Sequence, residues 1–256
     1  MLELVGVTKG FGGLLAVDHV DMKINKGELV ALIGPNGAGK TTLFNLISGI
    51  YHCTSGQIIF AEEEITKLSP NRIAKKGISR TFQATTLFSS MTALDNVIMG
   101  LHLHSGLAGF SSLIPNLRTR KNLSCANDKA RELLNFFKMD KKSYVKSADL
   151  SNWDQKILQI VIALACEPKL ILLDEPLAGM NLEEIGFTMM MINKVKELGV
   201  AILLVEHNMK AVMSYCERVI VINYGRKIAE GHPEEVRHNE DVIRAYLGAP
   251  ELITES

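Results

Sequence analysis

The stretch Gly34-Pro35-Asn36-Gly37-Ala38-Gly39-Lys40-Thr41 constrains this chain most, because it specifies a ligand as well as a turn. It fits G-x-x-x-x-G-K-[ST], in which glycines let successive backbone N–H groups converge on one anion. Lys40 can then reach the outer phosphates of a nucleotide, and Thr41 can offer its hydroxyl to a magnesium ion. The flanks agree with this reading: Glu28-Leu29-Val30-Ala31-Leu32-Ile33 reads as a short buried strand, and Thr42-Leu43-Phe44-Asn45-Leu46-Ile47 has apolar residues at helical spacing. A helix N-terminus after the loop directs free amides and partial positive charge to where a phosphate would sit. The bland alternative, a glycine-rich turn between a strand and a helix, does not require the full motif.

The chain has 256 residues and 47% hydrophobic composition, enough for a sizeable core. Lys+Arg and Asp+Glu both total 28, so charge provides no general attraction to nucleic acid or to an anionic membrane. The cysteines Cys53, Cys125, Cys166 and Cys216 lie far apart with no C-x-x-C pair, as in ordinary thiols of a reducing compartment. The start has no basic region followed by an apolar block, and no apolar run approaches the ~20 residues of a membrane-spanning helix. The expectation is a cytoplasmic protein that reaches a membrane only through a partner.

Residues 2 to 26 alternate apolar and polar positions around a Gly12-Gly13 turn and predict antiparallel strands. Phe11, just before that turn, reads by position alone as core packing. Ser55 to Phe60 predicts a turn and a strand, Pro70 to Lys76 a helix with Pro at its start, and Gly77 to Gln83 another strand. From about Ala84 to Asp149 the pattern is helical, as in Lys129 to Phe137, which predicts an inserted helical subdomain over 84–150 within a core of 1–83 and 151–256. His102 and His104 there lack further ligands for a metal site. Strands then return at Lys169 to Asp174, Val200 to Val205 and Val219 to Ile222, with a helix over Glu183 to Glu197. Strands alternating with helices indicate an α/β fold with a mainly parallel sheet, whose ligands gather at the carboxyl ends of the strands. Gln83, Asp174, Glu175 and His207 all fall at such ends.

Phosphoryl transfer is mostly positioning and charge stabilisation. Asp174, after four apolar residues, is the natural magnesium partner; Glu175 is the natural general base, and His207 could contact the γ-phosphate. Gly34-to-Thr41, Gln83, Leu170-to-Glu175, Pro176-to-Asn181 and His207, in this order, resemble the nucleotide-binding subunit of ATP-binding cassette (ABC) transporters over essentially the whole chain. Ile78-to-Gln83 and Ala245-Tyr246-Leu247-Gly248 are similar to the ATP-binding subunits of branched-chain amino-acid importers, although cassettes for urea or lipopolysaccharide export share parts of them. The resemblance implies a P-loop NTPase core with an N-terminal antiparallel β subdomain, ATP and Mg2+ as cofactors, and nucleotide contacts from Gly34, Pro35, Asn36, Gly37, Ala38, Gly39, Lys40, Thr41 and Thr42. It assigns Phe11 to adenine stacking, Gln83 to magnesium and the attacking water, and metal contact to Thr41, Gln83 and Asp174. Catalytic work falls to Glu175, His207, Lys40 and Gln83. Partners implied are a second cassette, transmembrane permease subunits on the inner face of the membrane, and a solute-binding protein acting through the permease, with no nucleic acid.

The chain departs from the family at its signature, usually close to Leu-Ser-Gly-Gly-Gln, which contacts the ATP of the opposite cassette. Leu150-Ser151 is followed by Asn152-Trp153-Asp154, so both glycines are missing. Trp153 puts bulk where a backbone must come close, and Asp154 puts charge near a phosphate. Ser151-x-x-Asp154 ahead of an apolar run is equally a capping-box-like helix start with no nucleotide role. The asymmetry predicts a heterodimer: this chain keeps its own catalytic set, while an intact signature comes from a different subunit. The competing function is a nucleotide-binding regulatory subunit with impaired turnover. A soluble cassette of translation or repair fits less well, since those carry a second cassette or a long coiled-coil insertion.

Overall fold

The computed structural model of the chain describes residues 1–81, 87–105 and 117–247, and the side chains within them except those of 102–124 and Leu247. Alternation at the start becomes a hairpin: β1 (Leu2–Phe11) and β2 (Leu14–Ile24) pair antiparallel, with Leu2 opposite Ile24 and Phe11 opposite Leu14. β3 (Leu29–Ile33) runs into the glycine-rich loop and then α1 (Lys40–Ile47). β4 (Ser55–Phe60), strand along its whole length although its first residues suggest a turn, pairs with β1, and β5 (Glu63–Glu64) closes that sheet in the order β2-β1-β4-β5. After α2 (Pro70–Lys75) and β6 (Ile78–Arg80) come α3 (Ala93–Ser105), α4 (Leu117–Phe136) and α5 (Asn152–Ala165), which pack on one another. The remainder alternates: β7 (Leu170–Asp174), α6 (Leu182–Glu197), β8 (Ala201–Val205), α7 (Met209–Tyr215), β9 (Arg218–Asn223), β10 (Arg226–Gly231), α8 (Pro233–Arg237) and α9 (Glu240–Leu247).

The second sheet has the order β10-β9-β3-β8-β7-β6, parallel except for the antiparallel β10. Its middle strands are apolar on both faces because both faces are covered. Leu29, Ala31 and Ile33 of β3 belong to one core with α3 to α7, whereas Val30 and Leu32 belong to a second core with α1 and the antiparallel sheet. β7 divides likewise, Ile171 and Leu173 to the first core and Leu170 and Leu172 to the second. Each such large side chain contributes about 1.5–3 kcal/mol on burial. Among the described residues no helix is long and apolar enough to cross a membrane.

This alternation decides what the strand ends present. Val205 of β8 stands opposite Leu32 of β3 on one side and Asp174 of β7 on the other. The segments that continue β3, β8 and β7 therefore leave the sheet level with one another: the glycine-rich loop, Glu206-His207 and Glu175. Asp174 has the parity of Leu170 and Leu172 and faces α1.

Candidate nucleotide site

Two glycines make the loop possible. A Cβ at Gly34 would stand 2.1 Å from the Ile222 carbonyl oxygen, and one at Gly39, at φ 107°, would stand 2.3 Å from that of Ala16. Any larger residue would have to push backbone aside. The Gly225 N–H donates to the Ala38 carbonyl at 2.9 Å, so the β9–β10 turn braces the loop from outside. Lys40 is 6% exposed, and its ammonium donates to the carbonyls of Gly34 (2.6 Å) and Pro35 (2.9 Å). Burial pulls the Lys40 pKa down, while Glu175 and Asp174 act to raise it, so both carboxylates lie within electrostatic reach of the loop. Asn36, Gly37 and Thr41 are exposed; Pro35 and Thr42 are half-buried. A tight glycine cradle with an inward lysine at a helix N-terminus fits a nucleotide's phosphates. A threonine hydroxyl and one carboxylate fit magnesium, whose other oxygens come from phosphate and water; among the described residues no cluster of three or more His, Cys, Asp or Glu could hold a metal by itself.

Asp174, 7% exposed, ends β7. Its Oδ2 accepts from Arg80 Nη2 at 3.0 Å, and Arg80 Nη1 donates to Asn45 (2.7 Å) and Ser48 (3.1 Å) of the α1 segment. The Arg80 guanidinium also lies 5.5 Å from the centre of the Phe44 ring. One planar cation thus ties the carboxylate of β7 to the helix that follows the loop. Nothing in the linear pattern singles Arg80 out, since it stands between Ser79 and Thr81 at the end of a three-residue strand.

Glu175 has φ 51°, a left-handed conformation unusual outside glycine and asparagine and costing about 1–3 kcal/mol. In this conformation its Oε1 lies 3.0 Å from His207 Nε2. Asp174 meets Arg80 on the α1 side, and Glu175 meets the histidine that follows β8. Glu206, beside His207, is 3% exposed and accepts from the Leu177 N–H at 2.7 Å. Burial pushes the Glu206 carboxyl above its usual range despite backbone donors and Lys156, which oppose the shift. Its neighbour His207 matches a pattern, whereas Glu206 is visible only as a buried contact.

At the signature position Ser151 is the N-cap of α5 and accepts from the Asp154 N–H at 3.1 Å. Its hydroxyl donates back to Asp154 Oδ2 at 2.6 Å, and Lys142 donates to Oδ1 at 2.6 Å. Asp154 is therefore a buried, paired carboxylate at 7% exposure, in keeping with the capping alternative for Ser151-x-x-Asp154. The Trp153 ring packs edge-on against Phe187 of α6 with centroids 5.4 Å apart, and its Nε1 donates to Thr188 at 3.1 Å. Asn152 is exposed. A cleft of about 310 Å³ opens between the start of α5 and the end of β7, lined by Trp153, Lys156, Asp174 and Glu175 among others.

Phe11 is 43% exposed and meets Tyr51 edge-on, centroids 5.3 Å apart, with Lys9 Nζ 5.0 Å from its centre. Exposure rules out the core-packing reading. Gln83 lies outside the described residues. Pro35 to Ala38 share a second cleft with Asp241, Arg244 and Ala245 of α9.

A phosphate-gripping loop on a central parallel strand, facing an acidic pair across one intervening strand, is the arrangement of a P-loop nucleoside triphosphatase. Residues 17–178 match the family described as ABC transporter, and residues 226–251 the family described as branched-chain amino acid ATP-binding cassette transporter. The chain belongs to the ABC transporter family, as an ATP-binding cassette that uses ATP with magnesium. It is 40% identical over 249 residues to the high-affinity branched-chain amino acid transport ATP-binding protein BraF of Pseudomonas aeruginosa, covering 97% of this chain and 98% of that protein. The crystal structure of an ABC transporter cassette in its ADP conformation matches with TM-score 0.84 at 31% identity, over 97% of this chain and 98% of that one. A dimeric cassette in a post-hydrolysis state with ADP and Pi matches with TM-score 0.76 at 26% identity, over 91% of this chain and 99% of that one.

Proposed function

We propose that this chain is the ATP-hydrolysing subunit of an importer for branched-chain or related amino acids, peripheral on the cytoplasmic face of the membrane. The observation that carries this reading is the contact of Glu175 with His207 at 3.0 Å, beside a loop whose lysine feels both carboxylates. In it the Gly34–Thr42 backbone binds the phosphates, Lys40 leaves its carbonyls to meet the outer ones, and Phe11 stacks on the base. Thr41, Asp174 and Gln83 would hold magnesium, which supplies charge neutralisation to the phosphates. Glu175 takes the proton of the attacking water, and His207 orients Glu175 and contacts the γ-phosphate. Residues 84–150 form the subdomain that meets the permease, and a solute-binding protein delivers the amino acid on the far side.

The active form in this reading is a heterodimer. Ser151 and Asp154 satisfy each other and Trp153 is packed against α6, so the start of α5 has little to offer a partner's nucleotide. An intact signature from a second cassette completes the site of this chain. The test is single-turnover ATP hydrolysis by the transporter assembled with its permease and second cassette. Glu175→Gln is expected to slow hydrolysis about 10²–10⁴-fold while ATP still binds. Undiminished hydrolysis in that variant overturns the assignment. Robust cooperative hydrolysis by this chain alone, unaltered by Trp153→Ala, overturns the heterodimer.

A further inference from the structure

Glu175 reaches His207 from a backbone angle that a side-chain-bearing residue keeps only when its surroundings hold it there. Two buried or half-buried side chains grip the backbone on either side of it. Lys156, on the second turn of α5, donates from Nζ to the Glu175 carbonyl at 3.1 Å and to the Ala178 carbonyl at 2.7 Å. Glu206 accepts from the Leu177 N–H at 2.7 Å through one oxygen and from the His207 N–H at 3.1 Å through the other. The first grips the peptide of Glu175 and the bend beyond it. The second joins that bend to the backbone of the very histidine that Glu175 contacts.

We infer that Lys156 and Glu206 are positioning residues for hydrolysis, holding Glu175 left-handed and its carboxylate in register with His207. The inference rests on the reading of Glu175 as the group that activates water. Lys156 carries a further consequence, since it sits one turn beyond Trp153 on the same helix. A displacement of the α5 start, where the opposite cassette docks in this reading, pulls on the Glu175 carbonyl through a single side chain. Signature engagement and the chain's own carboxylate are thereby coupled mechanically.

In the assembled transporter, Lys156→Met is expected to lower single-turnover hydrolysis at saturating ATP about tenfold to a hundredfold, as a displaced catalytic group does. Equilibrium ATP affinity should stay unchanged, and Lys156→Arg, which can still donate to both carbonyls, should recover most of the rate. Glu206→Gln, which keeps one acceptor and loses the other, should also slow hydrolysis. In the Glu175→Gln background Lys156→Met should add nothing further. If Lys156→Met does not fold, Lys156→Gln replaces it under the same criteria. Full hydrolysis by folded Lys156 and Glu206 variants while Glu175→Gln is inactive overturns the inference; so does an equal loss of ATP affinity. A Glu175→Gln protein that turns over at the wild-type rate instead overturns the assignment of the base.

Discussion

Arg80 shows how one residue can matter at this site without belonging to any motif. Its pair with Asp174 is enclosed, with side-chain exposures of 8% and 4%. Removing one member of such a pair leaves the other charge buried and unmatched, at a cost of about 3–5 kcal/mol. Arg80→Met should therefore destabilise the chain by that amount in urea denaturation, and Arg80→Lys should fall between, since it keeps the charge but not the fork that spans Asp174, Asn45 and Ser48. A wild-type unfolding midpoint in Arg80→Met would refute the role. Asp174 and Glu175 were legible because an apolar strand that stops at two adjacent acids, downstream of a phosphate loop, places negative charge where a metal and a water need it. Arg80 was not, because its partners are 32 to 94 residues away along the chain.

At the scale of elements, α5 illustrates a helix start that a cap and a nucleotide contact could each require. Ser151 caps the helix through the Asp154 N–H, but Asp154 returns to the Ser151 hydroxyl rather than to its backbone N–H as a full capping box would, and the acid sits in the first turn, where the helix dipole favours it. Ser151→Ala should cost about 1 kcal/mol, read as a shift of the chemical-denaturation midpoint. No shift would mean that Lys142 and the packing of Trp153 hold the start without the cap. The cap accounts for Ser151 and Asp154 chemically, but it gives no reason for the bulk at Trp153. That side chain was placed by α6, through Phe187 and Thr188, which no local pattern could indicate. The phosphate loop is the opposite case: both its sequence and its flanking elements were recognisable, since steric demand at Gly34 and Gly39 permits no other residue.

For the whole molecule, the thiols report on how the layers close. Cys216, 6% exposed at the end of α7, has its thiol pushed up from 9.0 to about 12 by burial, with Glu206 and Glu217 adding to the shift. A raised acid pKa means that the native state keeps a proton the unfolded chain loses. The stability linked to Cys216 is therefore complete below pH 9.0 and is lost as the pH rises towards about 12. Cys216→Ala should flatten the alkaline limb of a stability-against-pH curve, and in the native protein exposed Cys125 should react with a thiol reagent before Cys216. Equal reactivity would contradict the packing of α7 on the sheet. The sequence alone determined the α/β class, the mainly parallel sheet, the phosphate loop and its nucleotide, because periodicity, burial and glycine sterics are local. Only the tertiary structure decided the rest: that Arg80 holds Asp174, that Asp154 is neutralised within its own chain, and that Lys156 and Glu206 converge on the strained peptide of Glu175. Those outcomes depend on which strand ends come level and which helix lies over them, and strand order is set by long-range pairing that leaves no local trace.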